Sequence, residues 1–106
     1  MLTGKQKRLL RSRAMTERPL INFGKNGLTE TFVRGVADAV EAREMVKISL
    51  LPAADETPKE VGAYLEDAIP GLEVAQTIGH SLVVFKEADN EDNRNLSKQV
   101  AALVKD

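Results

Sequence analysis

The sequence predicts a single α/β domain in which a four-stranded mixed sheet carries three packed helices in the order α-β-α-β-α-β-β, followed by a short C-terminal helix. Three observations predict it. A chain of 106 residues is long enough for one core and too short for two domains. The apolar residues change their spacing from helical to alternating along the chain, with capping or turn residues at each change. The apolar fraction of 42%, with three Phe, one Tyr and no Trp, describes an aliphatic core and excludes a disordered chain.

Taken in order, Thr3 and Gln6 have capping-box spacing, which starts a helix that runs to about Met15. Its apolar positions, Leu9, Leu10 and Ala14, make a narrow stripe suited to docking on a sheet edge, and Lys and Arg fill much of the remainder. Pro19 sets an extended backbone, and Leu20, Ile21 and Phe23 supply a buried strand. After Gly24-Lys25-Asn26-Gly27, Thr29 caps a helix with Leu28 and Val33 as its hydrophobic staple. Phe32, Val33, Val36, Ala37 and Val40 form its core face, and it ends near Arg43.

Val46, Ile48 and Leu50 alternate with Lys47 and Ser49 as a half-buried strand. Thr57-Pro58-Lys59-Glu60 combines an N-cap, proline at the first helical position and an acid at the third. Val61, Tyr64, Leu65, Ala68 and Ile69 then make an amphipathic helix that Pro70-Gly71 stops. Leu72, Val74 and Ala75 open a strand, and Leu82 to Phe85 return from a Gly79-His80 turn as its antiparallel partner. The acidic stretch Glu87 to Asn93 reads as a loop or linker. Leu96, Val100, Leu103 and Val104 mark a short helix that either docks on the domain or meets a partner. The first two strands are expected to be parallel through a crossover helix, and the last two to form a hairpin.

Zero cysteines exclude a disulfide framework, a thiolate metal site and a thiol nucleophile, and the single His80 falls in a turn. No apolar run is long enough to span a bilayer, and the N-terminal residues lack the apolar stretch of a signal peptide, so the expected location is the cytoplasm. The acid pairs Asp55-Glu56, Glu66-Asp67 and Glu91-Asp92 read as solvated charges. No nucleophile, base and orienting group can be assembled, so the expectation is a protein that is not an enzyme, with no cofactor, metal or small-molecule substrate.

The net charge of −1 conceals an asymmetry: residues 1–35 carry eight bases against two acids, a net of +6, and the remainder carries −7. Such polarity suits a face for a polyanion. Gly24-Lys25-Asn26-Gly27 lies between a strand and a helix, where glycines let the backbone approach a ligand and free helix N–H groups favour an anion. The loop is not a P-loop, because Leu28 and Thr29 follow the second glycine, and no third glycine completes a dinucleotide fingerprint. Lys5, Lys7, Arg8 and Arg11 are helical neighbours that repel one another unless a polyanion lies across them. Arg34, one turn into the second helix, is expected to join them to the loop as one surface. Phe23, Phe32 and Phe85 fall at core positions, so reading of nucleic-acid backbone and shape is favoured over base stacking.

Four segments carry a family resemblance: Leu2-Thr3-Gly4-Lys5-Gln6-Lys7-Arg8; Gly24-Lys25-Asn26-Gly27-Leu28-Thr29; Glu41-Ala42-Arg43-Glu44-Met45-Val46-Lys47-Ile48; and Ile78-Gly79-His80-Ser81-Leu82-Val83-Val84-Phe85-Lys86. In this order they resemble the YhbY-like, CRM-domain family (chloroplast RNA splicing and ribosome maturation) over residues 2 to about 86. The resemblance implies a fold like the C-terminal domain of bacterial translation initiation factor 3. It also implies a bacterial protein that associates with precursors of the large ribosomal subunit and binds their RNA. The loop role falls on Gly24, Lys25, Asn26 and Gly27, and the basic-helix role on Lys5, Lys7, Arg8 and Arg11. The chain then divides into residues 1–86, the RNA-binding domain, and 87–106, an acidic linker and C-terminal helix outside the shared motifs. A protein-interaction module using the C-terminal apolar stripe is the alternative. A phosphoryl-handling enzyme ranks last, because no metal and acid set accompanies the loop.

Overall fold

The structure, a computed structural model, describes residues 2–103. The elements are α1 (Gly4–Ala14), β1 (Ile21–Phe23), α2 (Glu30–Arg43), β2 (Met45–Leu50), α3 (Pro58–Ala68), β3 (Glu73–Ile78), β4 (Ser81–Phe85), a 3-10 turn at Glu91–Asn93 and α4 (Leu96–Ala101). Their order is the expected one. The strands form a single sheet in the order β1-β2-β4-β3, with β1 parallel to β2 and the other pairs antiparallel. Gly79, at φ +55°, makes the left-handed turn of the β3–β4 hairpin.

Alternation along the strands divides the apolar residues into two cores, one on each face of the sheet. Val46, Ile48, Leu50, Leu82 and Val84 face α2 and α3, where they meet Val36, Val40, Val61 and Leu65. Val83, Phe85 and Ala75 face the other way and meet Leu2, Leu10 and Ala14 of the α1 segment and Val100 of α4. β3 serves both sides by the same alternation, Val74 on the first core and Ala75 on the second, and a β-bulge between Val74 and Gln76 shifts its register against β4. Gly62 is the close approach of α3 to the sheet: a Cβ there would stand 2.7 Å from Val74 Cγ2.

The helices start where the side chains cap them. Thr3 Oγ1 accepts the Gln6 N–H while Gln6 Oε1 accepts that of Thr3, and Thr57 with Glu60 repeats the box at α3. Thr29 Oγ1 accepts the Phe32 N–H at 3.0 Å.

Two details differ from the sequence expectation. The stripe of α1 docks across a sheet face, over β3 and β4, where the expectation was an edge. The first strand is a three-residue edge strand in which Phe23 is buried but Leu20 lies before it, 47% exposed; Pro19 and the turn from α1 leave only the Leu20 N–H bonded to the Lys47 carbonyl. The docking of α4, left open by the sequence, is explicit: Ser97 and Val100 are buried, and Gln6 Nε2 donates to the Val100 carbonyl at 2.9 Å. Val104 of the expected apolar stripe lies outside the described residues.

Candidate nucleic-acid interface

The loop after β1 closes as a tight turn, with the Gly27 N–H donating to the Gly24 carbonyl at 3.2 Å. Gly27 adopts φ +74°, a conformation that disfavours any side chain there. Gly24 has ordinary φ but sits against Leu51, whose Cδ1 would be 3.4 Å from an added Cβ. These constraints push Lys25 and Asn26 outward at the turn's corners, both exposed, just ahead of the N-terminal amides of α2. A groove of about 490 Å³ opens beside the turn between β1 and α2, lined by Gly24, Asn26, Gly27, Leu20, Ile21 and Phe32, among others. Phe32 packs edge-on to buried Phe23 with ring centroids 4.8 Å apart, which ties the groove wall to the core.

Lys5, Lys7, Arg8 and Arg11 are exposed on α1. Lys7, Arg8, Arg11 and Lys25 make no ion pair among the described residues. The structure does not gather these groups on one face as expected, because α1 and α2 pack on opposite faces of the sheet. Nor does Arg34 bridge them: it lies outside the groove lining and pairs with Glu30 at 3.5 Å, both side chains exposed. Lys86, which closes the last shared motif, is ion-paired with Asp89 at 3.1 Å.

Sequence reasoning missed a second concentration of charge. Where α1 ends, the foot of β1 and β2 meets the α4 segment in a cleft of about 640 Å³. Arg13, Arg18, Arg43 and Lys47 line it, against the single acid Glu17. They come as two pairs distant from one another in the chain, Arg13 with Arg18 and Arg43 with Lys47, so no local pattern announces their meeting. Arg13 also donates a hydrogen bond to Gln99 Oε1.

The wall of that cleft is held by two carboxylates. Glu44 is fully buried and accepts the N–H groups of Ala88, Asn95 and Ser97 at 2.8, 3.0 and 2.9 Å. It also adopts φ +66° at the end of α2, a strained backbone for a residue with a side chain, which these bonds over-determine. Burial raises its pKa, but the Ser97 side chain and the backbone N–H groups of Ala88, Ser97 and Asn95 together outweigh that and hold it below the ordinary value. The Ser97 hydroxyl is buried with no hydrogen-bond partner among the described residues. Glu41, solvated, accepts the N–H groups of Asp89 and Asn90 at 2.7 and 2.9 Å, and those two bonds, Asn90's foremost, lower its pKa. Residues 88–97 are therefore tied to α2. Among the described residues no group of three His, Cys, Asp or Glu gathers to hold a metal ion, and no helix is long and apolar enough to cross a membrane.

Residues 2–86 match the family described as the CRS1 / YhbY (CRM) domain. A Bacillus subtilis protein named as a probable RNA-binding protein, YqeI, is 40% identical over 88 residues, covering 83% of this chain and 91% of the relative. A Haemophilus influenzae protein named RNA-binding protein is 31% identical over 88 residues, covering 83% and 88%. Among solved structures, a Staphylococcus aureus protein described as a candidate RNA binding protein superposes with a TM-score of 0.71 at 35% identity, over 90% of this chain and 98% of that one.

Proposed function

Because the chain belongs to the CRS1 / YhbY (CRM) domain family, we propose that it binds structured RNA, namely ribosomal RNA in precursors of the large subunit, as a cytoplasmic assembly factor that works by binding and not by catalysis. The observation that carries this reading is the Gly24–Gly27 turn. It holds Lys25 and Asn26 outward at the amide end of α2, beside an open groove, an arrangement in which a phosphate meets a cation and free N–H groups together. Lys5, Lys7, Arg8 and Arg11 on the opposite sheet face add a second stretch of positive potential that an RNA large enough to wrap an edge of the domain can reach. The alternative, partner capture by the C-terminal stripe, has less support, since Val100 is spent against α1.

The test is sucrose-gradient fractionation of cell lysate at low and high salt with sequencing of the co-migrating RNA, run beside a Lys25→Glu, Arg8→Glu variant. Both substitutions are at exposed positions, so the variant stays folded. The wild type should travel with large-subunit precursors at low salt and leave them at high salt, while the variant stays with free protein. Wild type found only as free protein, with no RNA enriched, contradicts the proposal.

A further inference from the structure

The cleft at the foot of β1 and β2 is the strongest feature that the loop does not absorb. We infer that it is a second phosphodiester-binding site, occupied by the same RNA strand that the Gly24–Gly27 turn holds, with the strand running along the outer edge of β1. The inference rests on the RNA-binding reading above and deepens it.

Three observations carry it. First, the cleft concentrates Arg13, Arg18, Arg43 and Lys47 with only Glu17 to offset them, on a chain whose net charge is −1. Arg18, Arg43 and Lys47 make no ion pair among the described residues, and Lys47 is half-buried on the α1 side of β2. Arg13, Arg18 and Arg43 are exposed around it, so like charges gathered on one concave surface favour the entry of an anion, and the fork of an arginine matches a phosphate in particular.

Second, the cleft is open and its wall carries polar groups. Asn95 lines it on the segment that the Glu41 and Glu44 carboxylates tie to α2, and Gln99, beyond that segment in α4, accepts a hydrogen bond from Arg13. Third, Leu20 lines both the cleft and the groove beside the turn, so the two adjoin at the start of β1. The steps from Leu20 to Gly24 cover about 13 Å at the rise of a strand, a span that takes more than one nucleotide to cross. β1 is bonded to β2 on one side only, so this track follows an uncovered sheet edge.

The experiment compares two probes of different reach on the intact chain: single-stranded oligouridylates of about 4 nucleotides, the length a GxxG loop clamps, and of about 12, within the range of single-strand grooves. Amide chemical-shift titration reads affinity and location together, and the spectrum itself shows that each variant is folded. The wild type should bind the longer probe more tightly, with shifts at Lys47 and Asn95 that the shorter probe does not produce. An Arg18→Gln, Arg43→Gln variant should lose roughly tenfold for the longer probe and nothing for the shorter, whereas Lys25→Glu should weaken both. Unchanged affinity of the arginine variant for the longer probe, with Lys25→Glu still weakening both, overturns the second site and leaves the loop reading standing; the cleft would then suit an acidic protein segment. Equal loss for both probes also overturns it, as the signature of long-range charge alone. Indifference of both probes to every substitution overturns the RNA reading and this inference together.

Discussion

Glu44 shows how much of the molecule can depend on one side chain. Three backbone N–H groups, from Ala88, Asn95 and Ser97, converge on its buried carboxylate. Replacing it with Gln leaves donors facing a donor, and a Glu44→Gln variant should lose about 3 kcal/mol in denaturant unfolding. Its folded pKa lies below the ordinary carboxylate value, so the stability it contributes is fully present above that value and is lost as pH falls through the depressed folded pKa. Thermal unfolding across acidic pH should show that decline in the wild type and a flatter one in Glu44→Gln; identical profiles would show that the carboxylate is not a folding determinant. None of this was legible in the sequence, where Glu44 appeared only inside a family motif. The signal absent there is tertiary: the donors lie more than forty residues away. Gly27 is the opposite case, since a glycine before a helix cap announces its left-handed backbone locally.

At the scale of elements, what the sequence revealed followed from short-range chemistry. Thr3 with Gln6 and Thr57 with Glu60 are reciprocal caps in the structure as their spacing implies, and the alternation Val46, Ile48, Leu50 is the buried face of β2. What it did not reveal were choices of partner: that α1 would cover a sheet face, that Gln6 would cap a helix and also hold α4, and that residues 88–97 would be fastened to α2. Gly62 belongs with these, because nothing in the sequence shows that a helix glycine lies against Val74. Gly62→Val should force α3 from the sheet and cost about 1–3 kcal/mol by overpacking. The urea midpoint should fall with the m-value unchanged; an unaltered midpoint would show that α3 does not need this close approach.

At the scale of the whole molecule, the charge asymmetry read from the sequence resolves into three places. The cations of α1 lie on one sheet face, Lys25 stands at the far end of β1, and Arg13, Arg18, Arg43 and Lys47 meet in the cleft between. The first two were legible because their residues cluster in the chain. The third was not, because Arg43 and Lys47 come from the acidic two-thirds of the sequence and join Arg13 and Arg18 only through the β1–β2 pairing. The acids of that region are partly consumed as internal acceptors, Glu41 and Glu44 foremost, which leaves the basic groups to face solvent. The central claim, that this surface binds RNA phosphates, is tested most directly by the salt dependence of affinity for a labelled RNA, with Lys25→Glu alongside. The account predicts that log Kd rises steeply and linearly with log salt, and that the variant's slope is smaller by about 0.7 for the phosphate contact it loses on a single strand. An affinity indifferent to salt, or a variant with the wild-type slope and affinity, would contradict it.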